Sequence, residues 1–387
     1  MQVDTSKLRK FVAPEYIYGI GSRKLIAQYA RNYGLNKILL VTDQGVLDAG
    51  WSKEIEKILT DAGFEVTIYS DVSPNPRDFQ VMNGAKIFEE NACDSLVAVG
   101  GGSVMDCAKG IGIVVSNQKH ILEFEGVDKV NIPAPPLLCI PTTAGTSADV
   151  SQFCIITDTK RLVKISIVSK MTIPDLALID PETTLTMPST LTVETGLDAL
   201  THAIEAFVSN AHSPMTDVNS LEAIRLIIDN LPKIHENPEN MEFRENMMLG
   251  SLYAGLAFSN ASLGAVHAMA HSLGGLKDLP HGLCNTILLD KVINYNFDSA
   301  SDRYRKVADV LNLNASQSGD GFVKNDMKKY LKDLKQTLDV DKNLSELGLL
   351  DRDIPELSQK ASFDACLVTN PKKLNVVDLE RIYEQSI

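Results

Sequence analysis

The 387-residue sequence contains no run of 18 uninterrupted apolar residues, and its start, Met1 to Gly19, lacks a basic segment followed by an apolar core and a small-residue cleavage site. Neither membrane spanning nor secretion is expected. No C-x-x-C pair occurs among the six cysteines, Cys93, Cys107, Cys139, Cys154, Cys284 and Cys366, several of which sit in apolar runs such as Leu137 to Ile140. They read as reduced, mostly buried thiols of a cytoplasmic protein. Positive charge is scarce: 37 Lys and Arg against 50 Asp and Glu leave a formal charge of -13, which repels phosphate backbones and anionic lipid. Neither a nucleic-acid nor a membrane partner is expected. The G-x-G-x-x-G fingerprint is also missing, and no acidic residue follows a strand at the usual spacing of about 20 residues. Any dinucleotide site must be built differently.

What is present is an ordinary globular balance, 44% hydrophobic and 22% charged residues, in a chain long enough for two to three domains or one large two-layered one. From about residue 37 to 180, short β-branched runs alternate with amphipathic stretches. Lys37 to Thr42, Glu65 to Tyr69, Leu96 to Val99 and Leu137 to Ile140 read as strands, while Ser52 to Ala62 and Val81 to Asn91 have helical spacing. This pattern predicts an open parallel sheet with helices on its faces. Cys154 to Asp158 and Leu162 to Val168 predict a hairpin around the turn Thr157 to Arg161, covering one edge of the sheet. After Pro181, Thr192 to Val208, Pro214 to Asn230, Glu242 to Asn260 and Ala261 to Leu273 read as helices, so the second half is expected to be all-helical. The boundary falls between Pro181 and Thr192, dividing the chain into residues 1–185 and 186–387. Asn312 to Gly321, rich in Asn, Ser and Gly, reads as a surface loop.

Three polar constellations follow strands. Gly100-Gly101-Gly102-Ser103-Val104-Met105-Asp106 lies at a strand-to-helix turn, where glycines let a diphosphate approach the backbone and the helix N-terminus attracts the anion. Ser103 could serve as N-cap or phosphate donor, and a plain tight turn is the alternative for the whole run. Asp43 ends the strand KILLVT, where a carboxylate can hold an adenosine ribose hydroxyl and repel a 2′-phosphate, or simply cap a helix. Pro141-Thr142-Thr143-Ala144-Gly145-Thr146-Ser147 is a hydroxyl-rich loop at a strand's carboxyl end, where open α/β sheets bind ligands, although such loops are also common surface turns.

The histidines carry the strongest signal. Asp198 and His202 are four apart in one helical run, with Glu205 three further on, and His267 and His271 repeat the four-residue spacing on another helix. His281 follows His267 by 14 residues, about 21 Å along a straight helix, so the chain has to turn back, with Gly274-Gly275 and Pro280 as the expected break. Asp198, His202, His267 and His281 can then converge on a divalent metal such as Fe²⁺ or Zn²⁺ while leaving room for a substrate oxygen. For any single histidine the alternative is a hydrogen-bonded core or surface residue. His120, His212 and His235 are read that way, as surface residues.

These motifs closely resemble those of the iron-dependent (group III) alcohol dehydrogenases. The resemblance rests on GGGSVMDCAKGIG from Gly100, PTTAGTS from Pro141, ETGLDALTHAIEAFVS from Glu194, GAVHAMAHSLGGLKDLPHGLCN from Gly264, and Thr369-Asn370-Pro371. It implies a dehydroquinate synthase-like architecture: a Rossmann-like α/β domain that binds the dinucleotide, a helical metal-binding domain, and a cleft between them. By the same resemblance, Asp198, His202, His267 and His281 are the metal ligands. Asn75, Gly101, Gly102, Ser103, Asp106, Thr142, Thr143 and Lys164 contact the cofactor, and Asp43 favours NAD over NADP. His271 and Phe258 stand beside nicotinamide and substrate, and Phe153, Ile155, Phe258 and Cys366 line the substrate pocket. Two positions depart from the family pattern. The threonine loop continues Ser147-Ala148-Asp149 where many members end in Glu, and Phe153 replaces a residue that is polar in some members.

The implied activity is NAD-linked, metal-dependent, reversible oxidation of a short primary alcohol, with His271 relaying the proton, by a homodimer or larger homo-oligomer. The alternatives are a reductase of a sulfonated aldehyde, a polyol enzyme of the glycerol dehydrogenase type, and a lyase of the dehydroquinate synthase type that pairs NAD with a metal. A non-catalytic nucleotide- or metal-binding protein is disfavoured by the intact ligand set.

Overall fold

The computed structural model describes residues 9–313, 315 and 318–387; Met1 to Leu8 and, within the expected loop, Asn314, Ser316 and Gln317 lie outside the described residues. The first half runs β1 (Glu15–Tyr18), α1 (Ile26–Asn32), β2 (Lys37–Val41), α2 (Gln44–Ala49), α3 (Trp51–Asp61), β3 (Glu65–Tyr69), α4 (Asp78–Glu90), β4 (Ser95–Gly100) and α5 (Gly102–Asn117). It continues through the short β5 (Gly126–Val127), β6 (Leu137–Pro141), β7 (Phe153–Asp158), β8 (Val163–Val168) and β9 (Leu176–Ile179). Alternation within the strands explains the layering. In β2, Ile38 and Leu40 join one apolar cluster with Ile26 and Ala30 of α1 and Ile55 and Leu59 of α3, while Leu39 and Val41 join another with α4 and α5. A strand buried on both faces has to be sandwiched between helices, and an all-parallel sheet results.

The sheet has six parallel strands in the order β1-β9-β6-β4-β2-β3. The chain moves outward from β2 to β3 and then returns to the other side of β2 with β4, so the order reverses between β2 and β4. The carboxyl ends of strands at such a reversal form a natural crevice. Asp43 and the glycine turn leave from this point, and the pairing of Gly100 with Pro141 sets the threonine loop next to them.

The hairpin forms, but not at the edge of this sheet. β7 and β8 pair antiparallel and join β5 in a separate three-stranded sheet. Cys154, Ile156, Ile165 and Ile167 pack into the cluster containing α5, so the hairpin covers that helix rather than a strand edge. The apolar faces of the two hairpin strands need a partner, and the helix offers more apolar surface than a strand edge does. Three strands were not anticipated: β1 is only partly buried at the sheet edge, β5 is two residues long, and β9 has no polar residue to break its pattern.

Beyond Pro181 the described residues form helices: α6 (Ser189–Val208), α7 (Pro214–Glu236), α8 (Met241–Ala261), α9 (Ala265–Lys277), α10 (His281–Asn296), α11 (Ser301–Val310), α12 (Asp320–Thr337), α13 (Ile354–Ala361) and α14 (Val376–Glu384). They enclose one large apolar cluster. No helix among the described residues is long and apolar enough to cross a membrane. Helix α7 passes through Pro232 instead of stopping before it, and the helix expected from Ala261 starts later, since α8 runs on to Ala261 and α9 begins at Ala265.

Gly274 and Gly275 lie inside α9 and do not break it; the reversal occurs at Asp278, in the left-handed conformation, and at Pro280 before α10. The glycines have a packing reason instead. A Cβ on Gly275 would meet Leu162 O at 2.9 Å and Lys164 N at 2.9 Å, both backbone atoms of the hairpin that cannot swing aside. Gly275→Ala is therefore expected to cost about 1–3 kcal/mol in urea unfolding. Gly321→Ala, in the first turn of α12 with open space around it, should be neutral or slightly stabilising.

Candidate active site and metal centre

Four helices bring the histidine constellation together. Asp198 and His202 share one face of α6 near its middle, His267 and His271 share one face of α9, His281 opens α10, and α8 contributes Phe258. The Nε2 atoms of His267, His202 and His281 lie 3.6, 3.8 and 3.9 Å from Asp198 Oδ1. These are too long for hydrogen bonds, yet close to the separation of about 3.4 Å between donors around an ion held tetrahedrally at about 2.1 Å. Ligand atoms of Asp198, His267 and His281 lie within 4.8 Å of one another.

Electrostatics agree with this reading. Burial alone would raise the Asp198 carboxyl, but His202, His281 and His267 outweigh it and hold the group far below the ordinary carboxylate range. Burial pushes His202 down to about 4 and His281 well below its usual value, so both are neutral. His267 differs: burial lowers it, but the neighbouring carboxylates of Asp198 and Glu205, the latter hydrogen-bonded to Nδ1, lift it to about 9. The Asn285 amide nitrogen donates to Asp198 Oδ1 at 2.6 Å and approaches His267 Nε2 at 3.1 Å and His281 Nε2 at 3.3 Å, which presents those ring nitrogens as lone pairs. The buried Asn285 Oδ1 and the Nδ1 atoms of His202 and His281 have no partner among the described residues. Three imidazoles around one buried carboxylate, His202 and His281 among them neutral, are a donor set that fits a divalent transition metal.

A single cavity joins these residues to the sheet. Its walls include Asp198, His202, His267, His271 and His281 on one side, and Asn75, Gly102, Ser103, Asp106 and Lys164 on the other. Phe153, Ile155, Phe258 and Leu263 form its apolar part. Asp43, Gly101, Thr142, Thr143 and Cys366 do not line it. Gly101 packs against Thr143, Thr142 N–H donates to Gly100 O, and Cys366 is buried in the apolar cluster with Phe153 and Phe258. Asp43 caps α2, accepting from Val46 N–H at 2.9 Å, so its helix-capping role is realised whatever else it does.

Ser103 is not the N-cap of α5. That position is Gly101, which has no side-chain cap, and Ser103 lies in the first helical turn. The first amides of α5 therefore stay open toward the cavity, as an anion site requires. The glycines also answer to the threonine loop, since a Cβ on Gly101 would meet Thr143 Oγ1 at 3.3 Å and one on Gly102 would meet Thr146 Oγ1 at 2.7 Å. Burial lifts the Asp106 carboxyl to about 6 against the pull of Lys109, and Asp106 Oδ2 accepts from Ile155 N–H at 3.1 Å. Burial also lowers Lys164. His120 is exposed, and His212 and His235 are half-buried and away from the cavity.

Three polar residues of the site were not singled out from the sequence. Glu205 Oε2 is 2.7 Å from His267 Nδ1; its place three residues after His202 was the available signal. Asp364 Oδ2 is 2.8 Å from His271 Nδ1, and Asn285 lies one turn past His281. Asp364 comes from a distant part of the chain, and no spacing announces it. Burial would raise its carboxyl, but His271 holds it below the ordinary range.

Comparison with known proteins gives a consistent result. Residues 13–181 match the family model "iron-containing alcohol dehydrogenase", and residues 192–387 match "Fe-containing alcohol dehydrogenase family, C-terminal". The chain is 38% identical to 1,3-propanediol dehydrogenase of Citrobacter freundii over 376 residues, covering 95% of this chain and 96% of that one. It is 35% identical to NAD-dependent methanol dehydrogenase of Bacillus methanolicus over 377 residues, covering 97% and 99%. A solved structure of 1,3-propanediol oxidoreductase superposes with a TM-score of 0.95 at 35% identity, covering 98% of this chain and 100% of that one.

The threonine loop runs on to Asp149, which is buried and whose carboxyl burial raises to about 6 against its own backbone amide and Lys109. An acid whose folded pKa exceeds its unfolded value destabilises the fold where it is ionised, and the penalty fades as pH falls through the folded pKa toward the unfolded one. Asp149→Asn should therefore raise unfolding stability at pH 7.5 by up to about 3 kcal/mol, with the gain vanishing by about pH 4. Urea unfolding at the two pH values checks the sign.

Proposed function

The chain belongs to the iron-containing alcohol dehydrogenase family, and on that premise we propose that it catalyses reversible hydride transfer between NAD(H) and short-chain primary alcohols or their aldehydes, with Asp198, His202, His267 and His281 holding a divalent iron. The observation that carries this reading is the convergence of three Nε2 atoms on Asp198 Oδ1 at 3.6–3.9 Å inside a cavity whose opposite wall is the N-terminus of α5. When bound, the metal supplies Lewis acidity to the substrate oxygen, and NAD supplies the hydride acceptor. Zinc suits the same donors; iron follows the family.

The protein's own residues divide the remaining work. Open amides at Gly102 and Ser103 and the dipole of α5 receive the diphosphate, with Asn75, Asp106, Thr142, Thr143 and Lys164 arranged around the dinucleotide path. Asp43, at the reversal of strand order, holds the adenosine ribose and disfavours a 2′-phosphate. His271 takes the hydroxyl proton toward solvent: its Nδ1 is fixed by Asp364, which leaves Nε2 for the cavity. Phe258 stacks on His202 with ring centroids 4.3 Å apart, and Phe153 tilts against Phe258 at 5.7 Å, so the alkyl end of a substrate meets a dry, short wall.

That wall favours a small uncharged alcohol. Among the described residues lining the cavity, Lys164 is the sole Lys or Arg, and Asp106 and Asp198 offset its charge. A sulfonated aldehyde or a phosphate-bearing lyase substrate would need a basic pocket. Residues 1–185 act as the cofactor domain and residues 186–387 as the metal domain, in a cytoplasmic homodimer or larger homo-oligomer. Among the described residues no disulfide is formed, and all six cysteines are free, in keeping with a reducing compartment.

Anaerobic, iron-loaded protein should oxidise NADH with C2–C4 aldehydes and lose that activity on chelation, while sulfonated aldehydes react far more slowly. Failure with every aldehyde by protein that still binds metal and NAD would overturn the reading. Asp198→Asn is expected to lose bound metal and reduce kcat/KM by on the order of 10³-fold or more, as loss of several kcal/mol of Lewis-acid stabilisation implies. Asp43→Ser keeps a capping oxygen for α2 but removes the charge, so the NADH over NADPH preference should fall by roughly tenfold, the equivalent of about 1.4 kcal/mol.

A further inference from the structure

Glu205 is a buried carboxylate on α6, and among the described residues no lysine or arginine pairs with it. Its partners are all at the start of α9. Oε1 accepts from Val266 N–H at 2.8 Å, Oε2 accepts from Gly264 N–H at 3.1 Å, and Oε2 lies 2.7 Å from His267 Nδ1. A carboxylate in that position accepts a hydrogen bond from the imidazole Nδ1–H, fixes that tautomer, and leaves the Nε2 lone pair turned toward Asp198. Gly264 has no side chain for the same reason, since a Cβ there would stand 2.8 Å from Glu205 Oε1 and 2.9 Å from Asn370 Oδ1.

Asn370, in the Thr369-Asn370-Pro371 motif, supports the same helix end differently. Its Oδ1 accepts from Ala265 N–H at 3.1 Å and from Asn296 Nδ2 at 2.8 Å, and its Nδ2 donates to Asn296 Oδ1 at 2.9 Å. It caps α9 without touching the imidazole. The two residues therefore separate two jobs: anchoring the helix, which both do, and orienting the ligand ring, which only Glu205 does.

We infer that Glu205 is a positioning residue of the metal centre, holding the His267 ring in the tautomer and orientation that ligate the ion. The inference rests on the metal reading proposed above and assigns Glu205 no contact with substrate or cofactor. Removal of such a carboxylate from a ligating histidine typically weakens metal binding by roughly 10–100-fold.

The test titrates metal-free protein with Co²⁺ against a chromophoric chelator, recording the visible Co²⁺ bands and the thermal midpoint of the metal-free form. Glu205→Gln is expected to bind Co²⁺ roughly 10–100-fold more weakly with shifted bands. Asn370→Ala is expected to lower the thermal midpoint while leaving Co²⁺ affinity within about threefold of wild type, as a helix cap alone would. A folded Glu205→Gln variant with wild-type affinity and bands overturns the inference, and so does an Asn370→Ala variant that weakens Co²⁺ as much as Glu205→Gln. If Glu205→Gln does not fold, Glu205→Asp, which draws the carboxylate back by one methylene, is read the same way: weaker binding with shifted bands supports the inference and unchanged values overturn it. Wild-type protein that binds no Co²⁺, or binds it equally after Asp198→Asn, overturns the metal reading itself; Asp198-dependent binding with Glu205→Gln unaffected overturns the positioning role alone.

Discussion

Asp198 is a buried carboxylate with three imidazoles around it, and the arrangement of α6, α9 and α10 follows from satisfying it. An isolated ionised acid at this depth would be strongly destabilising, so the surrounding dipoles and ring nitrogens have to be fixed. Each helix brings one requirement. α6 must place His202 one turn after Asp198, α9 must start where His267 can reach across, and α10 must begin at His281. The turn at Asp278 and Pro280 brings His281 back beside His267, from which a straight helix would separate it by about 21 Å.

The same constraint joins the two halves of the chain. Gly275 brings α9 onto the backbone of β8, which places Lys164 on the wall of the cavity that Asp198 also lines and sets the hairpin as its far side. Arg77 and Asn75, before α4, meet Asp278 at 2.7 and 2.8 Å, so the loop that precedes a sheet-facing helix also touches the turn between α9 and α10. The cavity is thus bounded by backbone contacts at its rear and by exposed polar contacts at its mouth. Rigidity at the rear holds the donor set, and the mouth relies on contacts that water weakens.

Much of this was legible in the sequence because it depends on local periodicity. β2, β3, β4 and β6 are short apolar runs flanked by polar turns, and spacings of four residues put Asp198 with His202 and His267 with His271 on single helical faces. What escaped depends on long-range packing. The destination of the hairpin was set by the apolar surface of α5, which no hairpin sequence encodes. Gly274-Gly275 looked like a helix break because glycine lowers helix propensity, whereas their function is to let another chain segment approach. Ser103 looked like a cap because serine caps helices well, yet the helix begins two residues earlier than its hydroxyl could serve. Asp364 lies 93 residues from His271, and only the folded chain shows that they pair.

Two carboxylate–imidazole pairs on α9 show how the same interaction serves different ends. Glu205 binds His267 Nδ1 at 2.7 Å, and Asp364 binds His271 Nδ1 at 2.8 Å, one helical turn away. In each pair the carboxylate fixes the tautomer and turns Nε2 away from itself. What differs is what faces that nitrogen. Across from His267 stands Asp198, so its lone pair is directed into an acidic, enclosed point where a cation is favoured. His271 instead stacks on His281, with centroids 5.3 Å apart and planes 12° from parallel, and borders the cavity. The Nδ1 of this ring is taken by Asp364, and the ring borders the cavity instead of the Asp198 carboxylate. One helix thereby presents two carboxylate-fixed imidazoles side by side, and what distinguishes them is the neighbours of each ring rather than the rings themselves.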